Sequence, residues 1–276
     1  MSKAVTSVLN PTRMRIIALP LTSRSSSTGL HTFYHFQTPL ENSSKGGSNI
    51  LKRVIGKVSE VWTGFGKAEE GSWRRTTFKF GERMMDRIEF EELNLKSMEP
   101  SLGPKLSKFG KPELQELLEI PLVYPSLYDG RTPPLKHLQS LLEKRVPSHR
   151  KGFYFWALIS PLTAPFIVIP LIPNLPFFFC AWRSWHHYRA YKASLYLTSL
   201  MKHGVIRPEP HVELDRIYEK HKPLLPDKES AGNEKLLLSK KSVPEIVSIL
   251  KLSTSVEADL IRALDQTESR LTKQTV

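Results

Sequence analysis

A chain of 276 residues with a mean hydropathy of −0.29 is long for one compact soluble domain, short for a polytopic carrier, and mostly compatible with water. Forty Lys and Arg against 27 Asp and Glu give a net charge of +13, which points to an anionic partner such as nucleic acid or an acidic lipid surface. The single cysteine, Cys180, excludes an intrachain disulfide framework, and nothing indicates an oxidising extracellular compartment.

No acidic residue precedes Glu41, while Lys3, Arg13, Arg15 and Arg24 are interspersed with Ser and Thr. That is the composition of a mitochondrial presequence; a disordered basic tail shares it, and the lack of a long apolar segment argues against a secretory signal. Residues 1–13 are read as an N-terminal extension, with 14–148 a mainly helical soluble region carrying short N-terminal strands. Arg15 to Leu21 reads as a buried strand bounded by proline, and His31 to Phe36 as its partner. Ile50, Leu51, Val54, Ile55, Val58, Val61, Trp62 and Phe65 recur at helical spacing, so the pattern predicts an amphipathic helix over 49–65. Trp73, Phe78, Phe80, Met84, Met85, Ile88 and Leu93 continue the helical region. The cations Arg74, Arg75, Lys79, Arg83 and Arg87, and then the acids Glu89, Glu91 and Glu92, read as a solvated face. Beyond Pro100 and Pro104, a short helix is expected near 112–118, an extended segment at "IPLVYPSLYDG", and a helix opened by Thr132-Pro133-Pro134 with Leu135, Leu138, Leu141 and Leu142 inward.

From Phe153 to Trp182 there is no Lys, Arg, Asp, Glu or His. A straight helix over that run would measure about 45 Å against a bilayer core of about 30 Å, and interior prolines break it. Pro165, Pro170, Pro173 and Pro176 crowd its middle, so the pattern predicts a hairpin bent at 170–176 around Asn174. Lys144, Arg145, Arg150 and Lys151 stand before it; Arg183, Arg189, Lys192 and Lys202 stand after it. Basic flanks on both sides place both ends on one membrane face. A spanning hairpin, a re-entrant loop and a buried hairpin of a soluble core all remain open. Residues 149–203 thus form a membrane hairpin with an aromatic and basic juxtamembrane helix, in which Trp182, Trp185, Tyr188 and Tyr191 suit the headgroup level or packing against the soluble part. His186 and His187 invite a metal or a proton relay; adjacent helical residues point about 100° apart and cannot chelate one ion well. Residues 204–232 read as a linker with a short helix. Residues 233–276 read as a helical module opened by a Ser242-Val243-Pro244-Glu245 capping box, with a second helix from about Ser255.

The whole reads as a mainly α membrane protein: a small N-terminal β element, amphipathic helices, one proline-bent apolar helical hairpin and a C-terminal helical module. There is no phosphate loop, dinucleotide fingerprint, CxxC or HExxH, and "GFGKAEEG" at 64–71 lacks the hydroxyl after its lysine, so it reads as an inter-helix turn. No residue is assigned as catalytic, cofactor-binding or metal-binding, and the chain is not read as an enzyme.

The stretches "MRIIALPLT" at 14–22, "FYHF" at 33–36, "WTGFGKAEEGSWRRTTFKFGERMMDRIEFEE" at 62–92, "PLVYPS" at 121–126, "SPLTAPFIVIPLIPNLPFFFCAWRSWHHYRAY" at 160–191 and the region 236–266 resemble the fungal mitochondrial K+/H+ exchange-related proteins. The resemblance implies an inner-membrane protein of potassium and proton homeostasis and no catalytic residue; the equally basic flanks of the hairpin put both domains in the matrix. Expected partners are anionic lipid, other membrane proteins or further copies of the chain, and the ions K+ and H+. Nucleic acid is not favoured. The uncharged run holds neither Asp nor Glu, so the chain reads as a subunit or regulator of an exchanger. The alternative carrier is an oligomer in which freed carbonyls such as those of Ile169 and Leu171 bind potassium. An adaptor that binds ribosome, lipid or protein through its basic face is the other reading.

Overall fold

In "RIIALP" both faces of a strand are apolar, which suits a strand covered on two sides. In the computed structural model this segment is β1 (Arg15–Pro20), buried along its whole length. The residues described are 14–23, 31–37, 57, 60, 63–86, 88–98, 100, 103–107, 119–126, 133–163, 175–221 and 236–274. β1 pairs antiparallel with β2 (Thr32–Gln37), with Ile17 opposite His35 and Ala18 opposite Tyr34. β3 (Ile120–Tyr124) lies parallel to β1, and β4 (Ile206–Pro210) lies parallel to β3, giving the sheet order β2-β1-β3-β4.

The chain divides into two units, residues 40–89 on one hand and 1–39 with 90–276 on the other. The smaller holds α1 (Trp73–Asp86), whose first turn is capped by the Ser72 hydroxyl accepting from the Arg75 N–H at 3.3 Å. Phe65 meets Trp73 edge to face at 5.4 Å, folding the "GFGKAEEG" turn back on the helix. Of the helix expected over 49–65, residues 57, 60 and 63–65 are described, and they are helical.

In the larger unit, α2 (Phe90–Ser97) follows, then β3, then two long helices, α3 (Pro134–Thr163) and α4 (Leu175–Lys202), before β4. One face of the sheet, with Ile16, Ala18, Tyr34 and Leu122, is covered by Leu138 and Leu142 of α3 and by Ala190, Ala193, Leu197 and Leu200 of α4. The other face, with Ile17, Leu19, Phe33 and Val123, is covered by α5 (Val212–Lys220), α6 (Val243–Ile249) and α7 (Thr254–Gln274). Each fully buried aliphatic side chain there contributes about 1.5–3 kcal/mol relative to exposure. α2 packs against the edge strand β2 and reaches both cores, with Phe90 in the second and Leu95, together with Met98 just past the helix end, in the first. At the end of α4, Gly204 takes φ +67; Val205 N–H bonds Leu200 O at 3.1 Å and Gly204 N–H bonds Met201 O at 3.0 Å, a left-handed stop that turns the chain into β4.

The expected mainly α membrane protein is therefore corrected to a mixed α/β fold built on a four-stranded sheet. Among the described residues, no helix is long and apolar enough to cross a membrane. The reason lies in how the uncharged run is divided. Its first part, to Thr163, continues α3, a helix that began at Pro134 on a polar stretch and passes through Pro147 without ending. Pro147 and Glu143, the residue whose carbonyl it deprives of a donor, are both exposed. Its last part opens α4, in which Arg183, His186 and His187 follow within two turns. The bend read at 170–176 and the carbonyls of Ile169 and Leu171 fall at positions outside the described residues, apart from Leu175 and Pro176 at the start of α4. Cys180, which lies in the uncharged run read as membrane hairpin, is buried within the protein.

Pro244 stands in the first turn of α6, but the expected capping box does not form, because Ser242 makes no side-chain cap. Its hydroxyl donates to Ser239 O at 2.6 Å instead, and Glu245 turns to Lys220 and His221 of the preceding helix end, 3.0 and 2.9 Å away. These partners hold the Glu245 carboxyl below its usual range, the His221 hydrogen bond foremost. The linker region contributes β4, with Pro208 and Pro210 on an edge strand where the sheet tolerates them.

Candidate functional site

Glu91 and Glu92 open α2, where helix N-termini favour negative charge. Both are buried, at 8% and 5% exposure, which overturns the reading of these acids as a solvated face. The Phe90 N–H donates to Gln266 Oε1 of α7 at 3.1 Å, anchoring the first turn and aiming the two carboxylates in different directions.

Glu91 faces Arg270 of α7 at 3.2 Å, Arg145 of α3 at 3.7 Å and His31 at 4.0 Å. Arg270 also lies over the Phe90 ring at 5.4 Å. Glu92 faces α4: the Arg183 guanidinium grips both carboxylate oxygens, with NH2 3.0 Å from Oε2 and NH1 on Oε1. His187, one turn on, brings Nδ1 to 3.9 Å from Glu92 Oε1. His149 of α3 completes the group, its Nδ1 3.3 Å from the His187 Nδ1. Two helices thus face each other with the same spacing, Arg145-x-x-x-His149 and Arg183-x-x-x-His187, and α2 places one glutamate against each arginine.

Gly152, one turn beyond His149, lies against the His187 ring. A Cβ there would sit 2.8 Å from three atoms of the His187 ring. Gly152→Ala is therefore expected to push the imidazole off His149 and Glu92. Overpacking of about 1–3 kcal/mol outweighs the gain of about 1 kcal/mol in helix propensity, so the urea midpoint falls modestly.

Burial lowers the His187 pKa, Glu92 opposes that shift, and Arg183 reinforces it. His186 goes elsewhere: its ring centroid lies 3.9 Å from that of Trp182. The adjacent histidines thus diverge, and the group that assembles is His187 with residues 38 and 95 positions away. Reading the helix faces past their last apolar residue would have found it, because Leu138, Leu142, Arg145, His149 and Gly152 fall on one stripe of α3. Of the aromatic set, Trp185 is exposed and stacked on Tyr188 at 5.6 Å, and Tyr188 meets Phe153 at 5.4 Å.

A protein family described as mitochondrial K+-H+ exchange-related matches residues 15–201. An uncharacterised protein of Saccharomyces cerevisiae is 24% identical over 92% of this chain and 84% of its own length. An uncharacterised protein of Schizosaccharomyces pombe is 27% identical over 74% of this chain and 82% of its own. No solved structure matches. The matched stretch contains all of β1 to β3, the whole of α3, nearly all of α4, and the Glu92, His149 and His187 group between them, and by that match the chain belongs to the mitochondrial K+-H+ exchange-related family.

Proposed function

We propose that the chain is a non-enzymatic subunit or regulator of potassium/proton exchange, acting at the matrix side of the mitochondrial inner membrane. The family match over residues 15–201 carries this reading. A path for alkali cations needs carboxylates or carbonyls at membrane depth. Here Glu91 and Glu92 are held by guanidinium groups inside the protein, which favours a component that acts on an exchanger over a carrier in its own right.

The contact with that environment is placed on the ends of α3 and α4 farthest from the sheet cores. Tyr154, Phe155, Leu158 and Leu162 of α3 and Phe178 and Trp185 of α4 are exposed, and Arg150 and Lys151 are exposed beside them. An open groove of about 500 Å³ between the helices is lined by Phe153, Ala157, Pro161, Phe177, Ala181 and Trp185 among others. Large aromatic side chains next to cations suit the headgroup level of an anionic bilayer.

Mitochondria lacking the chain are expected to swell abnormally in potassium acetate and to recover on its re-expression; unchanged swelling rejects the reading. In fractionation, the chain should sediment with inner membranes at low salt, come off in alkaline carbonate, and resist protease until the inner membrane is ruptured.

A further inference from the structure

We propose that Glu92, His149 and His187 form a binding site for one divalent transition-metal ion of the zinc class.

Two imidazole nitrogens and one carboxylate oxygen converge from three helices, and all three donors lie within 4.8 Å of one another. A tetrahedral ion with bonds of about 2.0–2.2 Å needs donor atoms about 3.4 Å apart. The Nδ1 atoms of His149 and His187 are 3.3 Å apart, and His187 Nδ1 is 3.9 Å from Glu92 Oε1. Closing the widest separation, at most 4.8 Å, to about 3.4 Å takes side-chain movements of up to about 1.4 Å, with the fourth position left to water. All three residues are buried, so the arrangement is set by the packing of α2, α3 and α4, and the missing side chain at Gly152 leaves the His187 ring its place.

The charge of Arg183 works against a cation here. Yet a carboxylate has about four lone-pair sites, so a guanidinium and an ion can share it. Arg183 then acts as the outer partner that orients the ligand, as such partners do around metal-binding carboxylates. Glu91, on the same helical turn, is engaged by Arg145 and Arg270 and stays outside the donor set. Two imidazoles suit zinc, cobalt, nickel or copper and do not suit K+ or Mg2+, so this group is not a potassium site.

The test uses the untagged full-length chain, stripped with chelator and titrated with Co2+. One equivalent should bind with the visible absorption of a tetrahedral site, yield to Zn2+, and ignore K+ and Mg2+. His149→Gln and His187→Gln should each weaken Co2+ binding at least about 100-fold, and His203→Gln, at an exposed position, should not change it. Absence of stoichiometric uptake by the unaltered chain overturns the proposal, as does equal affinity in the two buried variants. If circular dichroism shows that those variants do not fold, X-ray absorption at the zinc edge of the unaltered chain decides. Two imidazoles and an oxygen shell support the site, and any other donor set rejects it.

Discussion

Glu92→Gln is expected to destabilise the metal-free chain by about 3–5 kcal/mol, because it leaves the Arg183 guanidinium largely buried with its charge unmatched. For a chain of this size that lowers the thermal midpoint by about 10 °C. Against a total stability of about 5–15 kcal/mol the change is severe, and urea unfolding in chelator measures it directly. The second substitution tells a missing partner from a general defect. Pairing Glu92→Gln with Arg183→Met should recover much of the loss, since an apolar replacement of a buried ion pair is often neutral or better. If the double variant is no more stable than the single one, the pair is not what holds α2 to α4.

The second large effect is on acid stability. His35 sits on β2 opposite Ile17, on the sheet face that packs against the C-terminal helices. Burial, reinforced by the Arg15 charge, lowers its pKa from 6.5 to about 4. The folded chain therefore keeps His35 neutral where the unfolded chain protonates it. The unfolded state binds more protons between pH 6.5 and about 4, so stability is full above that window and falls as the pH drops through it. At about 1.4 kcal/mol per pH unit the loss is on the order of 3 kcal/mol. Chemical denaturation at a series of pH values should trace this slope, and His35→Phe should flatten most of it. His187, lowered by burial in the same direction, leaves a residue of the slope. An unaltered slope in His35→Phe would assign the acid sensitivity elsewhere.

The β1–β2 hairpin was legible because apolar residues fill both faces of Arg15 to Leu21 and a second such run follows shortly after. The α6 and α7 helices were legible from proline placement and periodicity. β4 was read as linker, since "IRPEP" carries two prolines and two charges, and only its pairing with β3 makes it a strand. The uncharged run misled for a physical reason. Local composition shows how much apolar surface a segment has, but not what covers it, and protein covers Cys180, Ser160 and Ser184 here. The same limit hid the Glu92 group. Arg183 and His187 looked like charges at a membrane border because their partner lies 91 and 95 positions earlier, on a short helix whose acids resembled ordinary surface. The signal was nonetheless present in register: the inward stripe of α4 through Leu200, Leu197, Ala193 and Ala190 continues onto His187 and Arg183.

The outer border of the sheet is β4. Ile120 N–H bonds Val205 O at 2.9 Å and His211 N–H bonds Tyr124 O at 2.9 Å, so odd-numbered backbone groups of this strand turn toward β3. By alternation, residues 206, 208 and 210 turn outward, and two of those three are prolines that have no N–H to offer. A stray strand from another molecule would find a single donor along that rim where a regular sequence would present three. The chain is thereby guarded against fibrillar stacking in a crowded organelle, and the guard resides in backbone chemistry that leaves the interior untouched.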